Sequence, residues 1–306
     1  TNAVFEKETN MSSYIDSHNH MHALSWDEWE LFAMTGMAGA VLSCGNPHVH
    51  REIWEAPPTA ADIFRFWDSP IRLARVAEEK HFMRLRCAVG VSSMMRVEGW
   101  EKLTERLPEY LGDPHVVAVG EVGLDPSQYF QLTWPLEDQE RCLEAQARIA
   151  SEAGMPLILH TPTPKKSVDF LGGVAVQGEV SPEEFRLHYL RRDLEIIEKA
   201  GLDHSLLVID HVDGSIIDYV HTETGAWCGI SIGSALRPIH PDRVCEWVRE
   251  YGPERIMLNS DHLGYRSIDF FSVPKALRAM RRAEIPEKDI RRVSFDNANE
   301  RFGLGL

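Results

Sequence analysis

Six side chains that can bind a divalent metal ion stand at the ends of apolar segments: His18, His20, Glu121, His160, His211 and Asp261. All six offer an imidazole nitrogen or a carboxylate oxygen, and none offers a thiolate. Such ligands suit Zn²⁺, Mn²⁺, Mg²⁺, Ni²⁺ or Fe²⁺ and do not choose among these ions. We therefore predict one or two divalent metal ions as cofactor, with the chemistry of metal-activated water.

His18 and His20 show why the metal interpretation depends on several ligands together. Alternate residues of a strand point to the same side, so both imidazoles can meet one metal. Taken singly, a His-x-His pair more often belongs to the surface or the core, and Asp261 could cap a helix. The metal interpretation rests on the recurrence of such ligands at the ends of five different apolar segments.

Eight apolar segments of strand length alternate with longer helical patterns. They cover residues 14–18, 39–44, 85–91, 116–121, 156–160, 206–211, 226–231 and 256–261. Runs of this length bounded by turn residues are typical of buried parallel strands. The predicted fold class is α/β, a (β/α)₈ TIM barrel, in which the carboxyl ends of the strands carry the active site. The alternative is an open doubly wound sheet, which would normally show a glycine-rich loop where residues 16–20 stand.

The helical patterns predict which faces are buried and where helices end. One predicted stripe contains Cys142, Ala145, Ile149 and Ala153, and another contains Val244, Trp247, Val248 and Tyr251. Both follow the 3.6-residue period of helices that lie on a sheet. Gly154 and Gly252 are predicted to end these two helices.

The composition excludes several classes of protein. The chain has 306 residues, of which 43% are hydrophobic and 26% charged, which excludes a disordered chain or a fibre. No apolar segment approaches the ~20 residues that span a bilayer, and residues 1–13 lack the apolar region of a secretory signal. Five cysteines without a Cys-x-x-Cys pair indicate reduced thiols, so we expect a cytoplasmic protein.

The charge balance bears on the partners. Acidic residues number 47 and basic residues 32, for a net charge of −15. A global basic surface for nucleic acid is therefore absent, although a local cationic site remains compatible with the sequence. We expect a small anionic or ester substrate, with nucleic acid compatible but not favoured, no membrane partner, and a chain that is free to form a homo-oligomer.

Beyond its ligands, the sequence resembles the TatD-like metal-dependent hydrolases of the amidohydrolase superfamily, especially their TatD-related TIM-barrel branch. The matching segments are residues 16–20, 120–125, 156–162, 209–211, 258–261 and 297–302. Gly-Glu-Val-Gly-Leu-Asp at 120–125 is the most specific of them. The match runs through nearly the whole chain, so residues 14–306 are predicted to form a single metal-dependent hydrolase TIM-barrel domain. Residues 1–13 are predicted to be a disordered leader or an expression-vector remnant.

The resemblance implies roles for the ligands. His18, His20 and Asp261 would hold one metal, His160 and His211 the second, and Glu121 would join the two. Asp261 would also be the catalytic base that takes the proton of the attacking water, with Glu121 beside it in the catalytic set. Two segments depart from the nucleases of the family. Asn-Ser-Asp at 259–261 replaces Glu-Thr-Asp, and Val-Asp-Gly at 212–214 replaces Phe-Ser-Gly; both disfavour DNA cleavage.

Basic residues after strands five, seven and eight are candidates for substrate binding. They are Lys165, Lys166, Arg237, His262 and Arg266, with His240 nearby. We interpret them as an anion clamp over the metals, and the alternative is ordinary solvated loop charge. Aromatic residues of the long loops, such as Trp54 and Trp134, could wall a pocket or pack the loops onto the fold.

The favoured function is a metal-dependent hydrolase that attacks an ester-type bond, with a phosphoester or phosphodiester preferred. One alternative is a hydrolase of a carboxyl ester, lactone or amide. A further alternative is a non-catalytic barrel that acts as a scaffold in a pathway complex. Loss of one or more ligands would mark such a scaffold, whereas all six are present here.

Overall fold

A computed structural model describes residues 13–21, 24–44, 58–81, 83–93, 96–126, 134–162, 181–233, 239–262 and 269–306. Residues 1–12, most of the predicted leader, lie outside this range. Among the described residues, no helix combines the length and the apolar character needed to cross a bilayer.

Eight strands alternate with eight main helices in the described chain. The strands are β1 (Tyr14–Asn19), β2 (Met37–Ser43), β3 (Arg84–Val89), β4 (Val116–Val122), β5 (Leu157–Leu159), β6 (Leu207–Ile209), β7 (Trp227–Ser231) and β8 (Ile256–Asn259). The helices are α1 (Trp26–Met34), α2 (Ala60–His81), α3 (Trp100–Leu111), α4 (Leu136–Ala153), α5 (Pro182–Lys199), α6 (Ile217–Glu223), α7 (Pro241–Tyr251) and α8 (Ser272–Arg282). After α8 come α9 (Glu287–Arg291), a π-helical turn (Arg292–Asp296) and α10 (Asn297–Phe302).

The strands follow one another in chain order in an eight-stranded sheet, and the strand pairs resolved within it are parallel. Parallel neighbours joined by a helix are the unit of α/β folds. The predicted (β/α)₈ TIM-barrel class is therefore confirmed.

Two compact units are formed by the described residues. The first unit contains those that fall within Thr1–Leu42, Leu73–Arg86 and Gly229–Leu306, and the second contains those that fall within Ser43–Arg72 and Cys87–Cys228. The prediction that residues 14–306 form a single domain stays a prediction.

In the first unit, β1 pairs with β2, and the register shifts between Asp16 and Asn19. The backbone N–H of Asp261 donates to the carbonyl of His18 at 3.0 Å, and that of His20 donates to the carbonyl of His262 at 2.8 Å. Two hydrogen bonds thus tie the end of β1 to the residues after β8. Irregular pairing next to functional side chains is a common way of aiming them.

In the second unit, β4, β5 and β6 pair in chain order, with Gly120 opposite Ile158 and Ile158 opposite Val208. The register shifts between Gly120 and Val122, so Glu121 lies at an irregularity of β4. The strands β5 and β6 end at Leu159 and Ile209, earlier than predicted. His160 and His211 therefore follow the strands and are not their last residues.

The buried face of α4 differs from the predicted stripe. Cys142 is buried as expected, but Ala145 and Ile149 are half-buried and Ala153 is exposed. Gln146 is buried instead, because its side chain accepts from Val91 N–H at 2.7 Å and donates to the Val91 carbonyl at 3.1 Å. A hydrogen-bonded amide can replace an apolar contact in the interior.

The predictions for the buried face of α7 and for the ends of α4 and α7 agree more closely with the structure. In α7, Val244, Trp247 and Val248 are buried as predicted, whereas Tyr251 is half-buried. Gly154 ends α4 in the left-handed conformation at φ 62°, and Gly252 ends α7 at φ 82°. All five cysteines are buried free thiols, which agrees with reduced core residues.

Candidate metal centre

One group of metal-type ligands lies in the second unit, at the ends of three neighbouring strands. We name it the β4–β6 group: Glu121 on β4, His160 after β5 and His211 after β6. Each offers one ligand atom, and the three atoms lie within 4.8 Å of one another. Glu121 Oε1 is 2.7 Å from His160 Nδ1 and 3.0 Å from His211 Nε2. A single carboxylate oxygen thus faces two imidazole nitrogens.

The electrostatics of this group show how strongly it attracts positive charge. Burial alone would lower the pKa of His160, but the carboxylates of Glu121 and Asp125 oppose it and raise this pKa to about 10. Glu121 is 1% exposed, so its charge is poorly screened by solvent. The carboxylates that favour a proton on His160 would also favour a metal cation beside it, and binding of that cation through a protonated nitrogen would release the proton.

Asp125 is the outer partner of this group. Its Oδ2 lies 3.4 Å from His160 Nε2, the ring nitrogen that does not face Glu121. Metal-binding histidines commonly contact a carboxylate through their second nitrogen, which fixes the tautomer and the orientation of the ring. Asp125 is itself held by Gln139, whose Oε1 accepts the Asp125 N–H at 2.9 Å.

The distances fit a common divalent ion. Nitrogen and oxygen ligands bonded at about 2.0–2.1 Å to a tetrahedral ion lie about 3.3 Å apart. The Glu121–His160 and Glu121–His211 separations of 2.7 and 3.0 Å would have to widen by only a few tenths of an ångström on average. The β4–β6 group can therefore hold an ion without rearrangement of the strands.

Gly123 leaves room for the backbone of His160. A Cβ at Gly123 would lie 2.7 Å from the His160 carbonyl oxygen, and the residue has φ +139°, which L side chains rarely adopt. We expect Gly123→Ala to lower the free energy of unfolding by about 1–3 kcal/mol and to displace His160. Chemical denaturation and metal analysis of the dialysed protein measure the two effects.

The matched control for this substitution is Gly154→Ala. Gly154 also has positive φ, at +62°, but a Cβ there would meet nothing within 4 Å. It should cost about 1–2 kcal/mol through its backbone conformation and leave the metal content unchanged. Equal metal content in both variants would contradict the role of Gly123.

A second ligand group lies in the first unit. We name it the β1–β8 group: His18, His20 and Asp261. His18 Nε2 is 3.1 Å from His20 Nε2. Asp261 Oδ1 is 3.7 Å from His20 Nε2 and 4.0 Å from His18 Nε2. Ligands of one tetrahedral ion lie about 3.3 Å apart, so the two imidazoles already fit, and the carboxylate would have to move closer by about half an ångström for all three to hold one ion.

The backbone that carries Asp261 is held by a buried carboxylate. Asp16 accepts the Ser260 N–H at 2.9 Å on one oxygen and the Ser260 hydroxyl at 2.5 Å on the other. Burial raises the pKa of Asp16, and these hydrogen bonds from Ser260 oppose the rise. Asp261 itself has φ +47°, in the left-handed region. Asp16 therefore helps to fix the turn that presents Asp261.

The candidate substrate-binding residues are only partly within the described chain. Lys165, Lys166, Arg237 and Arg266 lie outside the described residues, as does Trp54. His262 is 2% exposed, and its Nε2 lies 2.9 Å from the Asp269 carbonyl, so substrate contact by this side chain stays a prediction. His240 caps α7, because its Nδ1 accepts the Asp242 N–H at 3.3 Å. Trp134 is buried, and its carbonyl accepts a hydrogen bond from the Gln139 side-chain amide at 3.0 Å.

Sequence reasoning missed several polar residues around the ligands, among them Asp125, Arg186 and Asp193. The sequence carries a signal only for Asp125, which ends the specific segment 120–125. Asp193 lies on α5, is fully buried, and accepts the Leu124 N–H at 3.0 Å. It thereby steadies the segment that follows Glu121.

Asp193 makes a pH-dependent contribution to stability. Burial raises its pKa well above the ordinary 3.8, so the folded state binds a proton that the unfolded state releases. The wild type should therefore lose stability as pH rises from about 4 towards the folded-state pKa, and Asp193→Asn should remove that loss. Denaturation of the metal-free protein at roughly pH 5 and pH 8 measures the difference.

Asp203→Asn provides a control of opposite sign. Asp203 is exposed, and its pKa is lowered by hydrogen bonds from Ser205. The stabilisation that ionised Asp203 provides should be lost as pH falls. The destabilisation that comes from ionising buried Asp193 should instead appear as pH rises. A difference between wild type and Asp193→Asn that does not change with pH would contradict the prediction.

The chain is similar over most of its length to metal-dependent hydrolases. A family model described as TatD related DNase matches residues 15–303. An uncharacterized metal-dependent hydrolase of Methanocaldococcus jannaschii is 25% identical over 290 residues, which cover 95% of this chain and 100% of that protein. The crystal structure of a TatD-like protein from Archaeoglobus fulgidus is 25% identical with a TM-score of 0.64, and covers 96% of this chain and 100% of that chain.

A shorter stretch is more similar to a nuclease. Over 62 residues the chain is 44% identical to the 3'-5' ssDNA/RNA exonuclease TatD of Escherichia fergusonii, which corresponds to 20% of this chain and 23% of the exonuclease. The family model covers far more than half of the chain, and the described ligand groups supply the donors that a metal-dependent hydrolase needs. The chain belongs to the TatD related DNase family, and it is a metal-dependent hydrolase.

Proposed function

We propose that this hydrolase cleaves a phosphoester of a small anionic substrate, with one divalent ion in the β4–β6 group and one in the β1–β8 group. The observation that carries the proposal is the single Glu121 oxygen that faces both His160 and His211. It makes a compact anionic and imidazole donor set for a cation. A phosphate or phosphodiester oxygen is a natural further partner for such a cation.

The ligands, their outer partner and the catalytic base have separate roles in the proposed reaction. When bound, a divalent ion polarises the target oxygen and lowers the pKa of a water molecule towards neutrality. Glu121, His160 and His211 hold their ion, while Asp125 keeps the His160 ring in place. Asp261 accepts the proton of the attacking water and passes it to the leaving group, as a carboxylate within reach of the reacting groups can do.

The charge of the proposed ion sites supports an anionic substrate. In each group a divalent ion would face one ligand carboxylate, Glu121 or Asp261, and so keep a surplus of positive charge, and bound ions dominate the local field even in a protein of net charge −15. The exonuclease from Escherichia fergusonii, by its name, acts on single-stranded DNA and RNA, which are phosphodiesters. The acidic balance of this chain favours small phosphoesters over a long polyanion.

A hydrolysis screen of the metal-loaded protein tests the proposal. It contains phosphomonoesters, small phosphodiesters, single-stranded DNA, lactones, carboxyl esters and N-acyl compounds, and a Glu121→Gln variant serves as the background control. We expect small phosphoesters to be the preferred class and DNA to be a modest substrate. Turnover confined to lactones, carboxyl esters or amides would reject the phosphoester and favour the other hydrolase class.

A further inference from the structure

Arg186 is a buried cation beside the metal ligands that the proposed chemistry does not use. It lies on α5 and is 2% exposed. Burial lowers the pKa of its guanidinium, and Asp213 opposes that shift. Because burying a charge is costly unless it is paired, an interior arginine calls for a specific role.

The guanidinium joins the ends of two ligand-bearing strands. Its Nη2 donates to the Thr161 hydroxyl at 2.7 Å and to the His211 carbonyl at 2.5 Å. Thr161 directly follows His160, so one nitrogen contacts the neighbour of one ligand and the backbone of another. The Thr161 hydroxyl in turn donates to the Asp210 carbonyl at 2.7 Å.

Asp213 completes the arrangement. Its Oδ2 is 3.1 Å from Arg186 Nη1. Its other oxygen accepts the N–H and the hydroxyl of Ser215, which fixes the turn after His211. Asp213 is the centre of the Val-Asp-Gly segment that departs from the nuclease pattern, and Arg186 is its buried partner.

His211 needs such support because its backbone is strained. It has φ +58°, a left-handed conformation that costs a residue with a Cβ more than it costs glycine, although histidine adopts it more often than most side chains do. Strained residues persist at functional sites only when the surroundings hold them. The carbonyl of His211 is held by Arg186, and the turn that follows is held by Asp213.

We propose that the Arg186–Asp213 pair is a positioning device that sets His211, and through Thr161 also His160, for the cation of the β4–β6 group. The proposal rests on the metal site of the proposed function. It assigns to Arg186 and Asp213 a role in metal affinity, although neither is a ligand. Partners of this kind typically contribute 10–100-fold to metal affinity.

The test measures Zn²⁺ affinity of the metal-free full-length protein by competition with a chromophoric chelator. We expect Arg186→Met to weaken one Zn²⁺ site by about 10–100-fold and to leave the other unchanged. Arg192→Met is the matched control, since Arg192 lies on the same helix but is 45% exposed and pairs with Glu140. It should change neither site. The Co²⁺ absorption spectrum gives a second readout, because an altered ligand geometry shifts it.

A double-variant cycle assigns the affected site. In a His211→Asn background, Arg186→Met should cause little further loss, whereas in a His20→Asn background its effect should be undiminished. Asp213→Asn can keep the hydrogen bonds from Ser215 but removes the ion pair with Arg186. It therefore tests the positioning role if Arg186→Met does not fold. It should weaken the same site and shift the same Co²⁺ spectrum.

The outcomes separate this inference from the proposed function. If His211→Asn retains both Zn²⁺ ions at wild-type affinity, the assignment of His211 as a metal ligand is rejected, and the positioning role of Arg186 is rejected with it. If His211→Asn loses one ion while Arg186→Met stays within twofold of wild type, only the positioning role is overturned. Tighter Zn²⁺ binding by Arg186→Met would also overturn it, because charge repulsion would then outweigh positioning.

Discussion

Asp261→Asn should lower turnover by about 10²–10⁴-fold with metal in excess, the usual range for loss of a positioned general base. The carboxylate of Asp261 lies 3.7 Å from His20 Nε2 and 4.0 Å from His18 Nε2, so it is placed among the ligands of the β1–β8 group. Asparagine keeps the shape and one oxygen but cannot accept the proton. Initial rates on the best phosphoester of the screen measure the loss.

The fold should survive this substitution. Asp261 has φ +47°, and asparagine tolerates the left-handed region as well as aspartate does. Its N–H donates to the His18 carbonyl through the backbone, which the substitution does not touch. A decrease in turnover with an unchanged melting temperature would therefore report chemistry and not unfolding.

Asp242→Asn is the control for a removed surface carboxylate, because the Asp242 side chain is 75% exposed near the start of α7. It should leave turnover unchanged. If Asp261→Asn kept near-wild-type turnover with full metal content, Asp261 would be a structural residue, and the assignment of the base would be wrong.

The fold class and the ligand types could be predicted because both leave local signals. Buried strands show as short apolar segments, and the recurrence of metal-binding side chains at the ends of five such segments is visible along the chain. His18 and His160 were found in this way. The signal is a pattern along the chain, so it survives without knowledge of tertiary contacts.

The surrounding polar contacts could not be predicted, because they join segments far apart in sequence. Arg186 meets Thr161 across 25 residues, and Gln146 meets Val91 across 55. The periodicity of α4 predicted an apolar stripe and so misplaced its buried face, since a glutamine that satisfies a backbone segment looks like a surface residue in sequence. Strand ends were missed for a related reason: His211 leaves β6 in a left-handed conformation that only the folded chain stabilises.

Glu121→Gln should weaken metal binding in the β4–β6 group by more than about 100-fold, since removal of a direct ligand should exceed the 10–100-fold effect of an outer partner. The change is nearly isosteric, so it removes charge and little else. Turnover should fall with the metal, and Zn²⁺ competition on the dialysed protein measures the affinity.

The metal-free protein offers an independent readout of the same substitution. Glu121 is the largest of the influences that hold the pKa of His160 at about 10 against the opposing effect of burial. Glu121→Gln should therefore lower this pKa, which an NMR titration of the imidazole follows without any metal or substrate.

Glu144→Gln is the matched control, because Glu144 is a partly exposed carboxylate of α4 that pairs with Lys199 and Arg148 and is not one of the metal-type ligands. It should change neither the metal affinity nor the pKa of His160. A Glu121→Gln protein that bound two ions as tightly as wild type would show that the carboxylate is only a hydrogen-bond acceptor for two histidines. In that case the contacts of Glu121 with His160 and His211 would stabilise the fold and would not form a metal site.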